Sequence, residues 1–388
     1  MADLSRLPLD LYRPIVSYLP GNHDLLTLCA TSREWWFESH RALFRHVKLR
    51  GGNRLKSWTK TILNSPRITP LTHAITLPTR ATLTQSEKVA LAEALSKLVN
   101  LQELYISHTM TLCSLDAYID PWMLECCTKE LRVFHNELEE FEAGFEAYSL
   151  FFGDHPQISH LYWAREEDTT PIDMEVLRNL TIVHLKNWRV LNILSPRRIS
   201  RIRIGTVHAG LEISAFATSL SQFKDSLTHL SVTIRDLTGM RLDYAMFSIT
   251  TGLRLLGNSL PKLRFLYLSG GHILKYALWR AQANQLVEAL STFRGLDTVS
   301  LDISEPRMQS HTWLCDMDML EDPASCRKFV ERFMESCPRL HRLAIGPLGI
   351  HCQKKWGGSG SPCYVRRPGG RVEFEGFDII NSDSWAGM

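Results

Sequence analysis

Residues 261–268 read PKLRFLYL, and the same form returns as PQISHLYW at 156–163 and PRLHRLAI at 338–345. Each begins with a proline, which stops a helix and favours extended chain beyond it. The apolar positions that follow, as in Leu263-x-x-Leu266-x-Leu268, alternate with other residues in their second half, as a half-buried strand requires. One such triplet means little, because roughly ten would arise by chance in a chain of this apolar content. Copies sharing the proline, each at the end of a helix-like segment, are expected fewer than about once.

Working outward, the triplet recurs at Leu101-x-x-Leu104-x-Ile106, Leu180-x-x-Val183-x-Leu185, Ile199-x-x-Ile202-x-Ile204, Leu227-x-x-Leu230-x-Val232 and Leu296-x-x-Val299-x-Leu301. A weaker copy stands at Leu131-x-x-Phe134, and Phe44-x-x-Val47-x-Leu49 reads as a first strand. Helical spacing fills the intervals at 85–98, 213–226, 247–259, 277–293 and 322–336. The fold class is therefore α/β. At 356–362, WGGSGSP reads as a flexible surface loop, Val372-Glu373-Phe374 as a possible closing strand, and the last ten residues as frayed.

Helix and strand alternating at intervals of roughly 20 to 45 residues resembles a leucine-rich repeat array, a solenoid or horseshoe. The repeats are irregular, and the family's Asn or Cys after the third aliphatic is mostly absent. A doubly wound α/β sheet is the competing fold, although no glycine-rich phosphate loop follows a strand.

The chain before this array is helical. Leu11, Ile15 and Leu19 make one stripe that Pro20-Gly21-Asn22 ends, although Pro14 stands within it. Asp24 can cap a second helix carrying Leu25, Leu28 and Cys29, and Thr31-x-x-Glu34 has the form of a capping box opening a third with Trp35, Trp36 and Leu43. Three helices in about forty-five residues bury too little surface to stand alone, so part of their apolar surface needs a partner.

The order Leu7-Pro8-x-Asp10-Leu11, Ile15-x-x-Tyr18-Leu19-Pro20, Asp24-Leu25-Leu26 and Arg33-x-Trp35 resembles the F-box, the adaptor-binding module of SCF-type ubiquitin ligases. The resemblance implies that Leu7, Pro8, Leu11, Ile15, Leu19, Leu25, Leu28 and Trp35 pack within the module or against a Skp adaptor. Thr31 and Ser32 stand where the family has an aliphatic residue followed by cysteine. The alternative is an amphipathic cap on the rest of the chain. The implied organisation is an F-box at 1–50, a degenerate repeat array at 51–350 and a glycine-rich loop with tail at 351–388.

Lys+Arg 44 nearly cancels Asp+Glu 41, which argues against nucleic acid or an anionic membrane as partner. No apolar run suits a membrane span, and Asp3, Arg6, Asp10 and Arg13 interrupt any signal-peptide core. Nine cysteines without framework spacing fit a reducing compartment, the cytoplasm or nucleus. Cys337, His351, Cys352 and Cys363 lack paired C-x2-C knuckles, so neither metal nor other cofactor is expected. The acidic run from Glu137 to Glu146 carries Phe141 and Phe145 at helical spacing and suggests a solvated helix face.

No HExxH, Walker loop, GxSxG or kinase signature is present, so no catalytic residue is assigned. The family likeness implies a non-catalytic substrate receptor, holding a cullin-RING scaffold through the adaptor and a target protein on the array. The target positions follow from strand alternation, which sends Tyr105, Tyr162, His184, Arg203, Tyr267 and Arg342 to the face opposite the inward aliphatics, with His160, Arg201 and Phe265 among them. A scaffold acting outside ubiquitination and an uncharacterised α/β enzyme are the other functions open to such a chain.

Overall fold

The computed structural model describes residues 8–19, 21–78, 83–107, 119–138, 145–165, 172–173, 175–194, 197–208, 211–235, 242–271, 274, 280–303, 322–347, 356, 359–380 and 384. The chain divides into two compact units, Met1–Trp163 with Glu175–Asn179, and Ala164–Met174 with Leu180–Met388. Both are α/β. Among the described residues no helix is long and apolar enough to cross a membrane.

The first unit opens with three helices, α1 (Leu9–Ser17), α2 (Asn22–Cys29) and α3 (Arg33–Arg45). Pro14 lies inside α1 and has no N–H to give the preceding turn. Asp24 stands in the first turn of α2, whose cap is Gly21. The third helix is capped one residue later than the sequence suggests. Ser32 Oγ accepts from Trp35 N at 3.4 Å, while the Thr31 hydroxyl donates to the Leu28 carbonyl at the end of α2. Helix α3 passes straight into β1 (His46–Lys48), followed by α4 (Gly52–Asn64), β2 (Ala74–Pro78), α5 (Gln85–Ser96), β3 (Glu103–Ser107), β4 (Val133–Asn136), α6 (Ser149–Asp154) and β5 (His160–Trp163). The strands lie side by side in chain order, each parallel to the last. A full capping box starts α5, with Thr84 and Glu87 exchanging side-chain and backbone bonds.

The second unit runs β6 (Ile182–Asn187), β7 (Arg201–His208), α7 (Leu211–Ser221), β8 (His229–Arg235), α8 (Leu242–Ser259), β9 (Phe265–Ser269), α9 (Arg280–Ser291), β10 (Thr298–Asp302), α10 (Pro323–Ser336) and β11 (Arg342–Gly346). These strands are also parallel and in sequential order. An antiparallel hairpin, β12 (Pro362–Arg366) and β13 (Val372–Phe377), closes the series on β11. Its turn uses Gly369 and Gly370 at φ 86° and 81°, a region that favours glycine. Pro362, the last residue of the expected loop, begins β12, Val372-Glu373-Phe374 lies in β13, and Trp356 packs edgewise on Tyr364 of the hairpin.

Every position of the aliphatic triplets is buried, from Leu101, Leu104 and Ile106 to Leu340, Leu343 and Ile345. In register they form continuous rows, for instance Val183, Ile202, Leu230, Leu266, Val299, Leu343 and Tyr364. Tyr364 in that row bonds to Cys326 of α10, and Phe134 in the first unit meets Phe151 of α6 at 4.8 Å. The triplet rows therefore face the helices, and the alternate rows face away from them.

The repeat is also written in the backbone. At the start of each strand from β3 to β5 and from β7 to β11, two consecutive N–H groups donate to one carbonyl of the preceding strand's approach. In the first unit the acceptors are His73, Gln102 and Arg132, and in the second Thr181, Ser200, Thr228, Arg264 and Asp297, at 2.7–3.1 Å. Backbone N–H groups at the strand starts are thereby satisfied by backbone carbonyls, and the hydroxyls of Ser159, Ser200 and Thr228 donate to three of the same carbonyls. On the helix side, close approach is bought with glycine in α8. A Cβ at Gly257 would fall 2.0 Å from Thr292 Oγ1, and one at Gly252 2.6 Å from Ile213 Cγ1 of α7.

Strand β2 has no aliphatic triplet because Thr72 occupies the first position, fully buried, ahead of Ile75 and Leu77. Helix α4 was not read from the sequence, although its buried Leu55, Trp58 and Ile62 stand at the helical spacing i, i+3 and i+7, with Thr59 at i+4 also buried. Of the acidic run, residues 139–144 lie outside the described residues. Phe145 does not sit on a solvated face; it is buried and stacks on Trp163 at 4.3 Å.

Candidate protein-binding surfaces

The three-helix module keeps few apolar groups inside. Tyr12 and Val16, one turn apart on α1, are buried with Leu25 of α2, and Tyr12 meets the Trp35 ring of α3 at 4.4 Å. An ion pair, Arg13 Nε to Glu38 Oε2 at 3.5 Å, also links α1 to α3. Turning Tyr12 and Val16 inward turns Leu11 and Ile15 outward, and they are 41% and 38% exposed. Tyr18, Leu26, Trp36 and Phe37 are also exposed, Tyr18 at 85%.

The implied adaptor residues thus separate. Leu7 lies outside the described residues; Pro8 is the exposed residue before α1; Leu11 and Ile15 are exposed; Leu19, Leu28 and Trp35 are half-buried. Leu25 is core. Tyr18, Leu26, Trp36 and Phe37 were not among the candidates. The signal for Trp36 and Phe37 was in the sequence, since a Trp-Trp-Phe run on one helix cannot point all three rings inward.

On the first unit's outward face, Lys48, Thr76, Tyr105, His135 and Tyr162 share one register row across β1 to β5. His135 stacks on Tyr162 at 3.8 Å and 8°, Tyr105 meets His135 at 5.5 Å, and His46 stacks on Tyr105 at 5.5 Å. Carboxylates hold the row. Tyr105 donates its hydroxyl to Glu103 Oε2 at 2.7 Å, and His135 Nε2 lies 2.9 Å from Glu137 Oε1. Burial, then the bond to Glu103, raises the Tyr105 phenol. Burial, then Lys48, lowers His46. These side chains are half-exposed strand residues braced by neighbours, a preorganised aromatic strip of the kind enriched at protein interfaces. His135 was missed because its triplet, Leu131-x-x-Phe134, lacks a third aliphatic; Asn136 stands there, its Oδ1 accepting from Leu138 N.

The corresponding row in the second unit is His184, Arg203, Ser231, Tyr267, Ser300, Ala344 and Cys363. The register matches the sequence expectation, but the exposure does not. His184 and Arg203 are half-buried, whereas Ser231, Tyr267, Ser300, Ala344 and Cys363 are all buried. Tyr267 donates its hydroxyl to the Asp302 carboxylate, and Arg342 pairs with Glu375 at 3.1 Å. Phe265 is buried beside His229, whose pKa burial pushes down to about 4, with Arg201 and Arg264 adding to the shift. Alternation assigns a face, but water reaches that face only where nothing lies over it.

No protein-family model matches this chain, and no curated protein matches it either.

Among the described residues no three His, Cys, Asp or Glu side chains converge to hold a metal ion. His351 and Cys352 lie outside the described residues. Burial pushes the thiols of Cys127, Cys326 and Cys363 up to about 12 and that of Cys337 up to about 11, so at neutral pH they are protonated packing groups.

The two halves of the second unit's row respond differently to truncation. Arg203→Ala leaves stability within about 0.5 kcal/mol, as for a surface strand position. Tyr267→Ala removes a buried ring and its hydroxyl bond and costs about 3 kcal/mol. Chemical denaturation of the two single variants measures the difference; equal, small effects would mean that Tyr267 is not packed.

Proposed function

We propose that this chain is the substrate-recognition subunit of an SCF ubiquitin ligase, its first three helices an F-box that docks on a Skp adaptor. The observation that carries this is the exposed set of Leu11, Ile15, Tyr18, Leu26, Trp36 and Phe37 on a module whose own buried apolar set is small. Exposed large apolar side chains of this kind on a small helical module are what a protein partner covers. The sequential parallel strands and repeated backbone bonds support a leucine-rich-repeat-like solenoid behind it.

In this reading the chain does no bond chemistry. The adaptor holds the cullin-RING scaffold, the strand faces hold a target protein, and ubiquitin transfer is accelerated because the target lysines are held near the charged enzyme. The direct passage from α3 into β1 contains no linker, which favours a fixed geometry between docking module and repeats.

Co-expression of the whole chain with a Skp adaptor is expected to yield a stable co-purifying complex. Failure to co-purify removes the F-box assignment. Addition of cullin, RING subunit and charged conjugating enzyme is then expected to give ubiquitin transfer to a bound target. A stable complex without transfer would make the chain an adaptor-bound scaffold.

A further inference from the structure

The second unit's outward face carries its own cover. Beyond β13 the chain turns at Asp378, a non-glycine residue at φ 50°, and lays Ile380 into a cluster with Phe265, Tyr267, Ala344 and Cys363, with Ile182 packed against it. Ile379 stays exposed while Ile380 is 1% exposed. The turn is pinned by a reciprocal pair of bonds: Ser361 N donates to Asp378 Oδ1 at 2.7 Å, and Asp378 N donates to the Ser361 carbonyl at 2.9 Å. Gly360 makes room for this latch. A Cβ there would lie 2.0 Å from Asp378 Oδ2, and its φ of 103° is one that other residues rarely adopt.

We propose that residues 378–380 are a latched strap, an autoinhibitory segment that occupies the strand face of β9 to β12 in place of a protein partner. The face beneath it has the character of an interaction surface, with two aromatic rings, the small Ala344 and a thiol, and it is the chain's own Ile380 that packs there. Among residues 378–380 the hold comes from the Ile380 side chain and the two bonds between Asp378 and Ser361, a smaller set than the ladder bonds between the parallel strands, so the strap opens locally before the unit unfolds. With the strap down, the half-exposed part of this row is His184 and Arg203. The strap stands independently of adaptor binding; its consequence for target access rests on the substrate-receptor reading.

Cys363 reports the strap. Its thiol is fully buried in the Ile380 cluster, whereas Cys326, also fully buried, lies in α10 on the helix side. The experiment is iodoacetamide labelling of the free full-length chain, resolved by mass spectrometry for each cysteine. It compares the native chain with Ile380→Asp, Asp378→Ala and a chain ending at Phe377. Native Cys363 is expected to label slowly and the strap variants at least about tenfold faster, while Cys326 stays protected in all of them. Unchanged protection of Cys363 in the truncated chain would show that something else covers the face. A parallel rise at Cys326 would show that residues 378–380 are part of the core and not a strap. Either result overturns the proposal without bearing on co-purification with the adaptor.

Discussion

Replacing Leu11 and Ile15 together with alanine is expected to weaken Skp adaptor binding by well over a hundredfold while leaving the chain folded. One buried interface anchor contributes on the order of 2 kcal/mol, about thirtyfold in affinity, and two such losses approach about 4 kcal/mol, or several hundredfold, when they add. The fold tolerates the change because both side chains sit on the exposed side of α1, whereas Tyr12 and Val16 supply its inward contacts. Tyr12→Ala is the contrasting variant. It removes the ring that packs on Trp35 at 4.4 Å, so it loosens the module itself and lowers helicity as well as binding. Calorimetric titration against purified adaptor, with circular dichroism on the same samples, separates these cases. Undiminished affinity in the Leu11/Ile15 double variant would remove that face from the interface. Unfolding would make the stripe structural.

Phe134→Ala is expected to destabilise the first unit by about 3–5 kcal/mol, a large share of a domain's usual margin. The ring stands at the centre of an aromatic core, with Phe151 at 4.8 Å and both Tyr148 and Phe152 at 5.7 Å. All four are buried, and none can move far into the void, because Phe152 and Tyr148 are themselves held against Trp163. The neighbouring His155, fully buried, has its two ring nitrogens 2.6 and 3.2 Å from the carbonyl oxygens of Phe151 and Cys127 and so packs between α6 and the segment before β4. Loss of packing should therefore spread from β4 to α6. Hydrogen exchange resolved by segment is expected to show lost protection over residues 133–136 and 149–163, with residues 298–302 and 342–346 unchanged. A destabilisation under about 1 kcal/mol would mean that the cavity collapses and that the aromatic cluster is not the centre of the unit.

The helix-facing aliphatics of the strands were legible because each triplet lies within six residues, and a strand's two-residue period assigns side chains to faces without reference to the rest of the chain. Helices α5, α7, α8, α9 and α10 were legible for the same reason, their signal being local spacing, whereas the six-residue α6 is too short to show a period. Strand β2 was not, since Thr72 puts a polar residue where the period demands an apolar one, and only burial by neighbours makes it core. In the three-helix module, Leu11 and Ile15 formed a visible stripe, but that stripe does not say whether it points in or out. Tyr12 and Val16 form an equivalent one a hundred degrees away, and the contact with Trp35 decides between them.

By itself the sequence determined the α/β class, the helical start, the face on which Tyr105, Tyr162, His184, Arg203 and Tyr267 lie and the burial of the aliphatic triplets from Leu101 onward, because all of these follow from short-range periodicity. Tertiary structure alone decided that Tyr105, His135 and Tyr162 stack into a braced strip, and that Tyr267 is core although its row-mate Arg203 is half-exposed. Residues on one register row share a direction by geometry, but their contact with water depends on which distant segment is laid over them. For Tyr267 that segment includes Ile380, held by a bond pair between Asp378 and Ser361, and no local pattern around position 267 carries that information.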